Sequence, residues 1–123
     1  MKKLSVLLVD DEEDFVNTLA ERLLMRNIAP HVALNGEQAI QMLQNHRFDV
    51  MVLDLKMPGM DGLEVLRSVR INHPRVQVII LTGHGSEKDE EAARRLGAYD
   101  YLQKPVSIDE LLEALHHAGW SVW

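Results

Sequence analysis

The sequence predicts an α/β fold: a three-layer αβα sandwich built on a five-stranded parallel sheet. Three observations lead there. Leu4–Val9, Val50–Leu53 and Val76–Leu81 are almost continuously apolar and rich in Val, Ile and Leu, which suits parallel strands buried on both faces. Segments with apolar residues three and four apart lie between them, the spacing of one helical face. Two weaker strand candidates complete a βα unit repeated five times. Parallel neighbours need crossover connections, so the helices must cover both faces of the sheet.

Each element has its own signature. The first strand follows Met1-Lys2-Lys3, a basic start that looks like the opening of a signal peptide. Its apolar stretch is short, however, and Asp10, Asp11, Glu12, Glu13 and Asp14 follow at once. A secretory core needs roughly 7–15 apolar residues and a small-residue cleavage site, so the segment reads as a buried strand entering an acidic turn. No run approaches the roughly 18 apolar residues of a membrane span. Phe15, Leu19 and Leu23, with Val16, Ala20 and Leu24 beside them, mark the first helix. The second strand, Ala29–Leu34, contains Pro30 and His31, which fits a sheet edge. Asn35 and Gln38 open the second helix, Asp61 and Glu64 the third, and Ser107 and Glu110 the last, each pair spaced as a capping box. Leu63, Val65, Leu66 and Val69 form the apolar stripe of the third helix, and Ile108, Leu111, Leu112 and Leu115 that of the last. The fifth strand, Tyr99–Gln103, carries Asp100 and again reads as an edge. Gly97 and Gly119 stand where helices are expected to stop.

The helix from about Ser86 to Leu96 differs from the others. Its apolar residues are Ala92, Ala93 and Leu96, and it offers Glu90/Arg94 and Glu91/Arg95 pairs four apart. Such pairs contribute only about 0.2–0.5 kcal/mol each. A helix with so little to bury is either a solvated surface helix or an element able to shift when a nearby site changes state.

A chain of 123 residues without repeats, linkers or low-complexity stretches is expected to form a single domain over residues 1–123. It has no cysteine, which removes disulfides, thiolate metal sites and cysteine nucleophiles and fits the cytoplasm. The net charge of −6 argues against direct contact with nucleic acid or an anionic membrane.

In open α/β sheets, ligands sit beyond the carboxyl ends of the strands. Asp10 and Asp11 end the first strand, Asp54 the third and Thr82 the fourth, and Lys104-Pro105 follows the fifth. Singly, each has a plain explanation. Asp10 and Asp11 can cap a helix, Asp54 can shape a turn before Pro58-Gly59, Thr82 can cap, and Lys104 can be a surface lysine. Together they put three carboxylates, a hydroxyl and an ammonium on one edge. Crowded carboxylates either raise a pKa or share a cation, and hard oxygen ligands point to Mg²⁺. A carboxylate can act as a nucleophile toward a phosphoryl group, while a lysine and a hydroxyl hold the phosphoryl oxygens.

Four blocks carry a family resemblance. They are Val9-Asp10-Asp11-Glu12; Asp54-Leu55-Lys56-Met57-Pro58-Gly59-Met60-Asp61-Gly62; Leu81-Thr82-Gly83; and Tyr101-Leu102-Gln103-Lys104-Pro105. In this order and spacing the chain resembles the receiver domains of two-component response regulators over nearly its whole length. The resemblance implies a flavodoxin-like, CheY-like sheet of order 2-1-3-4-5, in agreement with the edge strands read from Pro30 and Asp100. It also implies that Asp54 accepts a phosphoryl group from the phosphohistidine of a sensor histidine kinase or a histidine phosphotransfer protein. Mg²⁺, with Mn²⁺ as a substitute, would be bound by Asp11 and Asp54, by the Lys56 backbone carbonyl, and by Asp10 through water. Lys104 would contact the phosphoryl group, Thr82 would turn toward it, and Tyr101 would then pack inward as a switch aromatic. The Lys104–Pro105 peptide is expected to be cis. Gly83 would leave room for the donor, while Lys56 and His84, two residues after Asp54 and Thr82, would tune the phosphoryl lifetime. The signal would pass to a downstream protein, an attached output domain or a phosphorylation-dependent homodimer.

Rival readings have definite requirements. Haloacid-dehalogenase-type phosphatases usually carry a second aspartate two residues after the nucleophile, where this chain has Lys56. A flavin-binding module wants a Ser/Thr/Gly-rich loop after the first strand, not Asp-Asp-Glu-Glu-Asp. A degenerate receiver used only for docking would not need all five site residues. His116 and His117 are adjacent on the last helix and read as surface residues. The apolar tail Trp120-Ser121-Val122-Trp123 either folds back on the domain or begins a connection to an output domain.

Overall fold

A computed structural model describes residues 3–83 and 85–120. Its elements are β1 (Leu4–Val9), α1 (Glu13–Leu24), β2 (Ile28–Ala33), α2 (Gly36–Asn45), β3 (Val50–Leu53), α3 (Gly62–Asn72), β4 (Gln77–Thr82), α4 (Glu87–Arg95), β5 (Asp100–Gln103) and α5 (Ile108–Trp120). The strands form one sheet in the order β2-β1-β3-β4-β5, with every pairing parallel. This is the architecture expected from the sequence, with β2 and β5 at the edges. The proline of β2 sits opposite Val6 without disturbing the register, as an edge position allows.

Alternation along the strands builds two cores. Leu4, Val6 and Leu8 of β1 point to the face covered by α1 and α5, where they meet Val16, Leu19, Leu23, Leu111 and Leu115. Leu7 and Val9 point to the other face, with Leu43, Val65, Leu66 and Val69 from α2 and α3. All four residues of β3 are buried, because a central parallel strand is covered on both sides.

The helix ends depart from the expected caps in instructive ways. The Asn35 side chain accepts from the Gln38 N–H, but Gln38 reaches past Asn35 to the Leu34 N–H. Asp61 accepts from Leu63 rather than Glu64. The Ser107 hydroxyl accepts from the Glu110 N–H as expected. A reciprocal box stands at Ser86 and Asp89, at the head of α4. Gly97 does end α4. It takes a φ of 101°, and the Gly97 and Ala98 N–H groups donate to the Arg94 and Ala93 carbonyls, the Schellman arrangement.

Gly119 does not stop a helix. It is buried within α5, and a Cβ there would stand 2.1 Å from Leu4 Cδ2. The position is small because α5 crosses the start of β1 at close range. In the tail, Trp120 is exposed and its ring stacks on His116 at 5.4 Å. Residues 121–123 lie outside the described residues.

Candidate functional site

The parallel register gathers the chemistry at the carboxyl edge of the sheet. The Asp10 N–H donates to the Ala33 carbonyl, the Asp54 N–H to Val9 and the Lys104 N–H to Thr82. These bonds continue the ladders one residue beyond the strands, so the three side chains stand side by side. Asp10, Asp54 and Thr82 are buried.

Lys104 is the hub. Its Nζ donates to Asp10 Oδ2 at 2.7 Å and to Glu12 Oε1 at 2.9 Å, and lies 3.6 Å from Asp54 Oδ2. It also stands 4.4 Å from the centroid of the Phe15 ring, a favourable cation–π distance. Burial alone would pull the ammonium down, but hydrogen bonds to Asp10 and Glu12 and the charges of Asp10 and Asp54 outweigh it and hold Lys104 above its ordinary range. Asp10 is pushed up, chiefly by burial, with the Asp54 charge adding to it. Hydrogen bonds from Lys104 and the Glu12 N–H only partly offset the shift.

Asp10, Glu12 and Asp54 each offer a carboxylate oxygen within 4.8 Å of the others. Three hard anionic donors at that spacing fit an oxygen-loving divalent cation better than a soft metal. Glu12 is the residue that sequence reasoning passed over. It belonged to the Asp10-Asp11-Glu12 run, but only the contact with Lys104 distinguishes it from its acidic neighbours. Asp11 is exposed and stands outside this group of three.

The loop after β3 ties the site to α4. Asp54 Oδ1 accepts from the Lys56 N–H at 3.2 Å, and Lys56 Nζ reaches Asp89 Oδ2 of α4 at 3.5 Å. Asp89 is held below the ordinary carboxylate range, first by the Ser86 N–H and then by the Ser86 hydroxyl and Lys56. A Cβ added at Gly83 would stand 3.7 Å from the Lys104 side chain. The Lys104–Pro105 peptide is cis. Tyr101 is turned inward and buried in this structure, the position that the resemblance assigned to the state after transfer. His84 lies outside the described residues.

Comparison with known proteins follows the same lines. Residues 6–116 match the model of the response regulator receiver domain. An NtrX-like response regulator of Rickettsia bellii is 38% identical over 120 residues, covering 96% of this chain and 25% of the relative. The chain thus spans about a quarter of the length of such relatives. Among solved structures, the receiver domain of Francisella response regulator 1452 is 29% identical with a TM-score of 0.91, covering 98% of this chain and 100% of that one. A Burkholderia pseudomallei response regulator crystallised with a phosphorylated aspartic acid, a calcium ion and citrate is 29% identical. Its TM-score is 0.88, covering 98% of this chain and 71% of that one.

Proposed function

The chain belongs to the response regulator receiver domain family, and from that premise we propose that it is a cytoplasmic, Mg²⁺-dependent phosphorylation switch with Asp54 as the phosphoacceptor. The observation that carries this reading is the buried Asp10–Asp54–Lys104 cluster at the carboxyl edge of the sheet. The phosphorylated aspartic acid and calcium ion in the Burkholderia pseudomallei structure lend it support.

In the proposed reaction an Asp54 carboxylate oxygen attacks the phosphorus of a phosphohistidine on a sensor histidine kinase or a histidine phosphotransfer protein. The P–N bond breaks, the imidazole leaves with its electron pair, and an aspartyl phosphate remains. Lys104 exchanges part of its carboxylate contact for the incoming phosphoryl oxygens, and the Thr82 hydroxyl turns toward them. Mg²⁺ held by Asp54, Asp11 and the Lys56 carbonyl, with Asp10 through water, would supply the positive charge that lets an anionic nucleophile meet an anionic phosphoryl group. Gly83 leaves a way in for the donor, and Lys56 and His84 govern access of hydrolytic water. Such a domain catalyses only its own phosphorylation and dephosphorylation.

The output surface is the one formed by α4, β5 and α5, with Tyr101 at its centre. It acts on a downstream protein, an attached output domain or a second copy of the chain. The net charge of −6 supports a signal passed through protein contact rather than by this domain touching DNA. The family match leaves the phosphatase and docking-only readings without support. Incubation with Mg²⁺ and acetyl phosphate is expected to add one phosphoryl group by intact mass, and Asp54→Asn to abolish the gain. An Asp54→Asn variant labelled as fully as the wild type would show the assignment to be wrong.

A further inference from the structure

Tyr101 occupies an unusual seat. The residue is 7% exposed, yet its hydroxyl oxygen is buried with no hydrogen-bond partner among the described residues. Burial, together with the charges of Asp89, Glu90 and Asp54, pushes the phenol up, so it stays neutral. A buried hydroxyl without a partner is unfavourable, so no polar group among the described residues rewards the tip of this ring for pointing inward. Its place depends on space, and Gly85 provides that space. A Cβ at position 85 would stand 1.6 Å from the Tyr101 hydroxyl oxygen, 2.9 Å from ring Cζ and 2.9 Å from Thr82 Cγ2.

We infer that Gly85 sets the resting position of Tyr101: its bare Cα is the seat for the ring tip, and a side chain there turns Tyr101 out to solvent. The physical reason is which neighbour can yield. Thr82 is fully buried at the end of an interior strand, where it can turn about its side-chain bond but cannot move out to solvent. Tyr101 lies on an edge strand, and rotation about its first side-chain bond both removes the larger overlap, leaving only the 2.9 Å approach to Thr82 Cγ2, and gives the hydroxyl water to bond. Gly85 therefore biases the α4–β5–α5 face without any phosphoryl group. That this bias alters signalling rests on the phosphorylation reading above; the packing relation does not.

The test uses the whole chain carrying Gly85→Ala. Nitration by tetranitromethane, mapped by mass spectrometry, is expected to modify Tyr99, which is 39% exposed, and to spare Tyr101 in the wild type. In Gly85→Ala, Tyr101 is expected to be nitrated at a rate close to that of Tyr99. A folded variant in which Tyr101 stays as protected as in the wild type overturns the inference. A second arm holds even if the single variant folds poorly. The loss in urea midpoint caused by Gly85→Ala is expected to shrink to less than half in a Tyr101→Leu background, the remainder being the contact with Thr82. An equal loss in both backgrounds, or failure to fold in both, means that Gly85 answers to Thr82 or to the loop itself, and the inference fails. Nitration of Tyr101 is expected to be the same when Asp54→Asn is added. A failure of acetyl phosphate labelling at Asp54 would strike the switch reading alone.

Discussion

Helices α4 and α5 flank the same edge strand but are held by different forces. α5 buries Leu111, Ala114, Leu115, Ala118 and Gly119. α4 buries Ala93 alone and is otherwise fixed by polar contacts. These are the Ser86–Asp89 box, the Glu90–Arg94 pair at 3.0 Å, the reach of Arg94 to Asp100 at 3.6 Å and the Lys56–Asp89 bridge. Apolar burial gives a helix one seat, because leaving it exposes the whole stripe to water. Exposed ion pairs contribute about 0–1 kcal/mol each and re-form easily with other partners. The sequence has thus placed a firmly anchored helix and a lightly anchored one around the same strand, with the lightly anchored one joined to the loop of Asp54.

Truncation of the fixed helix is the severest way to probe that contrast. Leu115→Ala is expected to cost about 2–5 kcal/mol of unfolding free energy in urea. A cost as small as that of an exposed residue would break the comparison. Ser86→Ala, which removes half of the capping box, is expected to cost about 0.5–2 kcal/mol. The loss should appear first as faster amide exchange in α4, with α5 unchanged. Lys56→Ala is expected to change global stability by no more than about 1 kcal/mol, yet to alter the lifetime of phosphorylated Asp54, measured by the decay of the labelled species. Identical lifetimes would mean that the tie between the loop and α4 carries no signal.

The smallest effect is one of pH. The pKa of Asp89 is depressed in the folded chain, so its contribution is complete above the ordinary carboxylate value and fades as pH falls through the folded value. Asp10 is raised and works in the opposite sense, its protonation favouring the folded chain. Global stability therefore blurs the two. The NMR shifts of the Ser86 and Asp89 amides are expected to hold as pH falls through the ordinary carboxylate value and to move only below it, as Asp89 protonates. Movement already at the ordinary carboxylate value would count against the Ser86–Asp89 box.

The strands and the site were legible in different degrees. β1 and β3 could be read to the residue because buried parallel strands are continuous apolar runs. β2 and β4 both begin and end one residue away from their expected runs, since the ladder follows neighbours rather than hydropathy. Asp10, Asp54, Thr82 and Lys104 were readable because parallel topology fixes which ends meet. Glu12 was not, because its selection among five consecutive acidic residues depends on where the Lys104 side chain reaches. Gly119 looked like a stop signal because the signature of a helix end and that of a close crossing are the same residue. Only the position of Leu4 tells them apart. The loose anchoring of α4 was legible from composition, but the tie from Lys56 to Asp89 was not, being a contact between segments distant in sequence.

The crossing of Gly119 over Leu4 has an engineering consequence. It brings the first strand and the last turn of the final helix together, at the end of the molecule away from Asp54. In a unit cut to residues 4–120, a short linker joining these points would close the backbone into a ring. New termini could then be cut elsewhere, for instance at the α1–β2 turn, where Asn27 already takes a positive φ of 65°. A circularly permuted chain of this kind would keep every strand neighbour and every site residue. It would also present a reporter or effector fused to the new ends from a quite different side of the molecule.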